Sequence, residues 1–214
     1  MNVLPVINCA SSGCVKEKLE ILKTFSPRVK RVHIDVGEVP VSRVRIPFFP
    51  AVFTKYASRF LFEVHYMVQE KKFFLPTHAV RGITRVFYPL EQIRNMPAFE
   101  QGVRLFRKKK IDVGVAIYAG TKVSSLFIPK GVHHVLVLSV HPGPAGQIFD
   151  IRALTLISFL RKHYPRVILT VDGGITPALV RKLTPRGVSR ITSFGYMWKN
   201  KDPQKAYQEL RNFK

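Results

Sequence analysis

The chain is predicted to be an α/β protein folded as a (β/α)8 barrel. Eight short, β-rich apolar runs alternate with longer helical or loop segments along 214 residues. No Ser/Gly/Pro-rich linker interrupts this alternation, so residues 1–214 read as one domain with room for a sizeable core. The alternative is a doubly wound open sheet. Such a sheet usually has fewer strands and a glycine-rich first turn, whereas the first turn here is Asn-Cys-Ala-Ser-Ser-Gly.

The first strand is read at 3–8, followed by a helix at 13–25 that sets Val15, Leu19 and Leu22 on one face. The second strand is 29–36. The proline-rich stretch 37–58 reads as irregular. Strands follow at 59–67 and 83–89. The basic run 104–110 (RLFRKKK) reads as the solvated face and end of a helix. Strands at 111–118 and 133–140 lead to a helix over 150–164 that opens on Asp150, a capping residue type. After the strand 166–173, Thr-Pro opens a helix over 176–187. A last strand, 189–194, precedes a helix over 202–213 opened by Asp-Pro.

The net charge is +22. Such a field attracts phosphates and polyanions without specificity. The Lys and Arg residues are scattered, and no basic run is interleaved with stacking aromatics, so specific nucleic-acid binding is not expected. No apolar run reaches the ~18 residues of a membrane span, and the N-terminus lacks the pattern of a signal peptide. A cytoplasmic enzyme or binding protein is expected. Cys9 and Cys14 fit neither a disulfide scaffold nor a zinc ribbon, and read as small apolar or helix-start residues.

Four polar residues fall at strand ends. His33 and Asp35 are two apart, so they share a face of the second strand, which in a barrel is the inner face. His65 ends the third strand and Asp172 the seventh. Catalytic groups gather at that rim of such barrels. Two imidazoles and two carboxylates suit a divalent transition metal: zinc, iron, manganese or cobalt. Two glycine-containing loops follow the sixth and seventh strands, SVHPGPAGQIF at 139–149 and DGGI at 172–175. Loops of this kind suit an anion such as phosphate.

At these residues the sequence resembles the ribulose-phosphate 3-epimerase family. The resemblance rests on VHIDV, FEVHYMV, VGVAIYAGTKVSSL, VLVLSVHPGPAGQIF and VDGGI, in order over nearly the whole chain. It implies interconversion of D-ribulose 5-phosphate and D-xylulose 5-phosphate through a cis-enediolate. It also implies a metal held by His33, Asp35, His65 and Asp172, with Asp35 and Asp172 as the acid/base pair on opposite faces of the substrate. Substrate and phosphate contacts are implied for Asn8, Gly143, Pro144, Ala145, Gly146, Gly173, Gly174, Phe194 and Gly195. A homo-oligomer is implied as well.

The sequence departs from the family in places. Asn8 or Val6 stands where the family has a serine, depending on the alignment. Pro144 and Ala145 replace a Phe-Gly pair, and Phe194-Gly195 replaces Gly-Ser. A family relative acting on a different ketose phosphate is therefore one alternative. A non-catalytic barrel that binds polyanions through its basic surface is another. Related barrel decarboxylases and hexulose-phosphate synthases carry an Asp-x-Lys pair, and no lysine follows Asp35 at that spacing.

Overall fold

A computed structural model describes residues 1–74 and 80–212. The strands are β1 (Asn2–Ile7), β2 (Arg31–Gly37), β3 (Leu61–Met67), β4 (Ile83–Pro89), β5 (Asp112–Tyr118), β6 (His134–Leu138), β7 (Ile168–Asp172) and β8 (Arg190–Ser193). Each pairs in parallel with the next, and β8 pairs with β1 to close the barrel. The helices are α1 (Ser12–Thr24), α2 (Pro50–Tyr56), α3 (Met96–Lys108), α4 (Arg152–His163), α5 (Pro177–Leu183), α6 (Gly195–Trp198) and α7 (Pro203–Arg211).

The helices form because each offers an apolar stripe to the barrel wall. In α1 the stripe is Val15, Leu19 and Leu22, all buried, and Ser11 caps the helix by accepting from the Cys14 amide at 3.2 Å. Each such side chain contributes roughly 1.5–3 kcal/mol by leaving water. In α3 the buried stripe is Phe99, Val103 and Phe106, and its basic end lies in solvent as the run 104–110 suggests. Asp202 caps α7 by accepting from the Lys205 amide at 2.9 Å. Phe213, the last residue of that helix as read from sequence, lies outside the described residues.

Several local readings are corrected. The stretch 37–58 is only half irregular: Pro50 opens α2, which buries Val52, Phe53 and Tyr56. Asp150 does not cap α4 from the N-cap position. Ile151 stands there, and Asp150 accepts from the Arg152 amide at 2.9 Å, one turn position earlier. Thr176 occupies the N-cap of α5 without a side-chain cap bond. That helix ends at Leu183 and tightens to a 3-10 turn over Thr184–Arg186; Thr184 keeps a helical backbone, and Pro185 has no amide hydrogen to continue the α-helical ladder. Cys9 and Cys14 are not two independent apolar fillers; they are joined by a disulfide across the β1–α1 turn.

Two chemistries fill the barrel interior. Phe87, Ala116, Leu136 and Leu138 form a small apolar cluster from β4, β5 and β6. Nearer the N-terminal ends of the strands the filling is ionic. Glu63 of β3 accepts from Arg85 of β4 at 3.1 Å and from Arg190 of β8. Arg85 also donates to Asp112 of β5 and to His134 of β6, both at 2.9 Å. The larger apolar core lies between the barrel wall and the surrounding helices.

Candidate active site

The β2–β3 register sets Asp35 beside His65 and His33 beside Glu63. Alternation then points all four side chains into the barrel, with Asp35 and His65 one layer above His33 and Glu63. Among the described residues, His33, Asp35 and His65 form the group of potential metal donors whose ligand atoms all lie within 4.8 Å of one another. His33 Nε2 is 3.5 Å and His65 Nδ1 is 3.4 Å from Asp35 Oδ1. His33 Nε2, Asp35 Oδ1 and both ring nitrogens of His65 are buried and make no hydrogen bond. Leaving four such atoms unpaired costs free energy, and a divalent cation among them would offset that cost. The donor set therefore fits a divalent metal ion, with imidazole and carboxylate ligands that several such metals accept.

Glu63 fixes the orientation of His33. Its Oε1 lies 2.9 Å from His33 Nδ1, and both side chains are 0% exposed. An ionised carboxylate can only accept, so Nδ1 carries the hydrogen and Nε2 is left to face Asp35. Burial alone would lower the affinity of His33 for a proton. The carboxylates of Asp35 and Glu63 outweigh burial and raise its pKa to about 10.

The two carboxylates near the rim are pushed in opposite directions. Burial would raise the Asp35 pKa, but the imidazoles of His33 and His65 hold it below the usual carboxylate range. Asp172 is raised, first by its enclosure in the cavity floor and then by the charge of Asp35; His33, His65 and a hydrogen bond from Thr192 Oγ1 oppose this. In the metal-free protein Asp35 thus favours the ionised form, and Asp172 has the stronger hold on a proton.

A cavity of about 480 Å³ opens above these groups, of the size that takes small-molecule ligands. Asp35, His65 and Asp172 line it, together with Asn8, residues 140–149, Gly173, Gly174, Phe194, Gly195 and Lys199. Ser139 Oγ donates to the carbonyls of Asp172 at 2.8 Å and Gly173 at 2.7 Å, which ties the β6 loop to the β7 loop. Gly174 has φ +58°, and a Cβ there would lie 2.6 Å from the Phe149 amide nitrogen, so only glycine fits. Asn8 Nδ2 donates to Asp35 Oδ2 at 3.0 Å and to the Gly143 carbonyl at 3.2 Å.

The structure brings Asp35, Asp172, His65, Asn8, Gly143, Pro144, Ala145, Gly146, Gly173, Gly174, Phe194 and Gly195 to one cavity, with His33 directly behind Asp35. Asp172 is not within the 4.8 Å group of the other three donors. Sequence reading missed Glu63, although its signal was present: it lies two residues before His65, on the same strand face of an otherwise apolar run. It also missed Thr192 and Lys199. Lys199 sits among Lys201, Asn200 and Asp202, where nothing in the pattern separates it from ordinary surface charge.

The model of the ribulose-phosphate 3 epimerase family matches residues 5–196. A Helicobacter pylori protein named ribulose-phosphate 3-epimerase is 29% identical over 161 residues, which cover 70% of each chain. One of the same name from Encephalitozoon cuniculi is 25% identical over 209 residues, covering 97% of this chain and 92% of that one. Among solved structures, 3-hexulose-6-phosphate synthase from Salmonella typhimurium superposes with a TM-score of 0.70 at 11% identity, covering 100% of this chain and 98% of that one. At that identity the likeness shows the barrel fold alone.

Proposed function

The chain belongs to the ribulose-phosphate 3-epimerase family, and we propose that it interconverts D-ribulose 5-phosphate and D-xylulose 5-phosphate by moving a proton at C3. The observation that carries this reading is the pair of carboxylates, Asp35 and Asp172, brought to one cavity from β2 and β7. Inversion at a carbon needs one group to remove a proton from one face and another to return a proton to the opposite face. Two carboxylates reaching one cavity from different strands supply those two groups.

Asp35, held ionised by its two histidines, takes the C3 proton. Asp172, steadied by Thr192, delivers a proton from the other side. In the reverse direction they exchange roles. A divalent ion (zinc, iron, manganese or cobalt) held by His33, Asp35, His65 and Asp172 would supply Lewis acidity at the substrate carbonyl, making the neighbouring C–H easier to break. Glu63 keeps His33 turned for that purpose. The backbone of residues 143–146, with Gly173, Gly174, Phe194 and Gly195, receives the phosphate end. Asn8 ties Asp35 to that loop. A homo-oligomeric assembly belongs to the same reading.

The test is an epimerase assay on ribulose 5-phosphate with chelated protein and with protein re-supplied with each of the four metals. Metal-dependent formation of xylulose 5-phosphate, with deuterium entering C3 in heavy water, is the expected result. No turnover and no exchange with any metal would refute the assignment. A second reading, a different ketose phosphate as substrate, is favoured by the Phe194 ring in the cavity wall. A panel of pentulose and hexulose phosphates ranked by kcat/KM decides between the two.

A further inference from the structure

Of the Lys and Arg side chains among the described residues, Lys199 alone lines the cavity. The chain has 35 such residues, and this is the one whose place on the cavity wall is at issue. Its position is set by the backbone: the Lys199 amide donates to the Gly195 carbonyl at 3.1 Å at the end of α6. Gly195 in turn packs against the β6 loop; a Cβ on it would lie 3.7 Å from Gly146 Cα. A Cβ on Gly146 would lie 2.8 Å from Lys199 Nζ. The ammonium therefore rests over a spot where two chain segments meet without side chains. Among the described residues no hydrogen bond or ion pair engages its ammonium, which leaves it available to an anion in the cavity.

We propose that Lys199 is the charge that captures the phosphate group of the substrate, sitting across Gly146 and Gly195, and that it sets the preference for phosphorylated over free sugars. This rests on the sugar-phosphate reading above. A phosphate monoester carries close to two negative charges near neutral pH. Glycine backbone admits its oxygens closely, and a lysine at the rim supplies a point charge without demanding a fixed fork of donors. The other charged or titratable groups of the cavity lining are Asp35, His65, His141, Asp172 and Tyr196, whose hydroxyl donates to Glu209. The two carboxylates would repel an anion, so the phosphate is driven to the Lys199 end and the sugar carbonyl toward the histidines.

The experiment compares wild-type protein with Lys199→Met, Lys199→Arg and Lys201→Met. Lys201 is a neighbouring exposed lysine that does not line the cavity. Binding of inorganic phosphate is measured by calorimetry, and KM and kcat are measured for ribulose 5-phosphate and for free ribulose. Lys199→Met is expected to weaken inorganic phosphate binding and to raise KM for the phosphorylated sugar by about 10- to 100-fold. It is expected to leave kcat/KM for free ribulose at the wild-type value. Lys199→Arg should restore most of the loss, and Lys201→Met should behave as wild type. Equal phosphate affinity in Lys199→Met and wild type overturns the proposal, whatever the activity. Loss of phosphate affinity in Lys199→Met, with a wild type inactive on ribulose 5-phosphate, keeps Lys199 as an anion site and removes the epimerase reading. Turnover of ribulose 5-phosphate with an unchanged KM in Lys199→Met keeps the epimerase and removes Lys199.

Discussion

Glu63 Oε1 lies 2.9 Å from His33 Nδ1 in a part of the barrel that water does not reach. The other oxygen of the same carboxylate is gripped by Arg85 and Arg190. One side chain therefore ties the candidate metal site to the ionic filling beneath it. His33 owes its tautomer to Glu63, and Glu63 owes its charge first to His33 and then to the arginines of β8 and β4.

Glu63→Gln tests that link. The amide keeps the shape but removes the charge that favours a strongly basic His33. Metal affinity, read by competition with a coloured chelator, is expected to fall about 10- to 100-fold. The two arginines lose their buried counter-charge, so a stability loss of about 3–5 kcal/mol in urea is expected beside it. Unchanged metal affinity would show that Glu63 does not position His33.

Asp172→Asn separates chemistry from architecture. An asparagine can still accept the Thr192 hydroxyl, so the melting temperature should stay within a few degrees of wild type. Turnover should fall by at least about 1000-fold, because inversion loses one of its two proton-transfer groups. Full activity in this variant would remove Asp172 from the mechanism.

Acid should weaken the fold through Glu63. Burial raises the pKa of its carboxyl, yet the hydrogen bond to His33 and the charges of His33, Arg190 and Arg85 bring it down to about 2 from an ordinary value of 4.5. A depressed folded-state pKa means that the unfolded chain takes up the proton first. The stabilisation is therefore complete above pH ~4.5 and is lost as the pH falls toward 2, by about 3 kcal/mol in all. Urea midpoints at pH 6, 4 and 3 measure this. The Glu63→Gln protein should lack that part of the slope.

Reducing the Cys9–Cys14 bond should cost little. The two residues are only five apart in sequence, so the bond constrains a short loop of the unfolded chain and contributes about 2 kcal/mol. A reductant should lower the urea midpoint by about 1 M. Cys9→Ser/Cys14→Ser should behave like the reduced protein and should not respond to reductant.

The barrel was legible in the sequence because its signal is repeated eight times; every strand end lies within two residues of its reading, and β4 matches it at both ends. Boundaries drifted where a side chain or a proline acts locally. Beyond Leu138 the Ser139 side chain ties down the Asp172 and Gly173 carbonyls while its amide still bonds Asp172, and Pro185, with no amide hydrogen, interrupts the ladder of α5. Of the site, His33, Asp35, His65 and Asp172 were legible because polar residues at the ends of apolar strands stand out. Glu63 stood out as well, but its partners Arg85 and Arg190 lie 22 and 127 residues away. No local pattern says that those three meet. The Cys9–Cys14 pairing depends on the tight turn between Asn8 and α1, a matter of backbone geometry that residue types alone do not state.

The charged floor of this barrel has a consequence for how its sequence can drift. Where aliphatic side chains fill a barrel, one methyl group can be exchanged for another with a modest loss. Here Glu63, Arg85, Arg190, Asp112 and His134 form one branched network with Arg85 at its centre and Arg190 held by Glu63. Removing Glu63 alone leaves Arg190 without its carboxylate, whereas replacing Glu63, Arg85 and Arg190 together need not strand a charge. These three are thus inherited as a block, and descendants should differ from this chain at all three positions or at none.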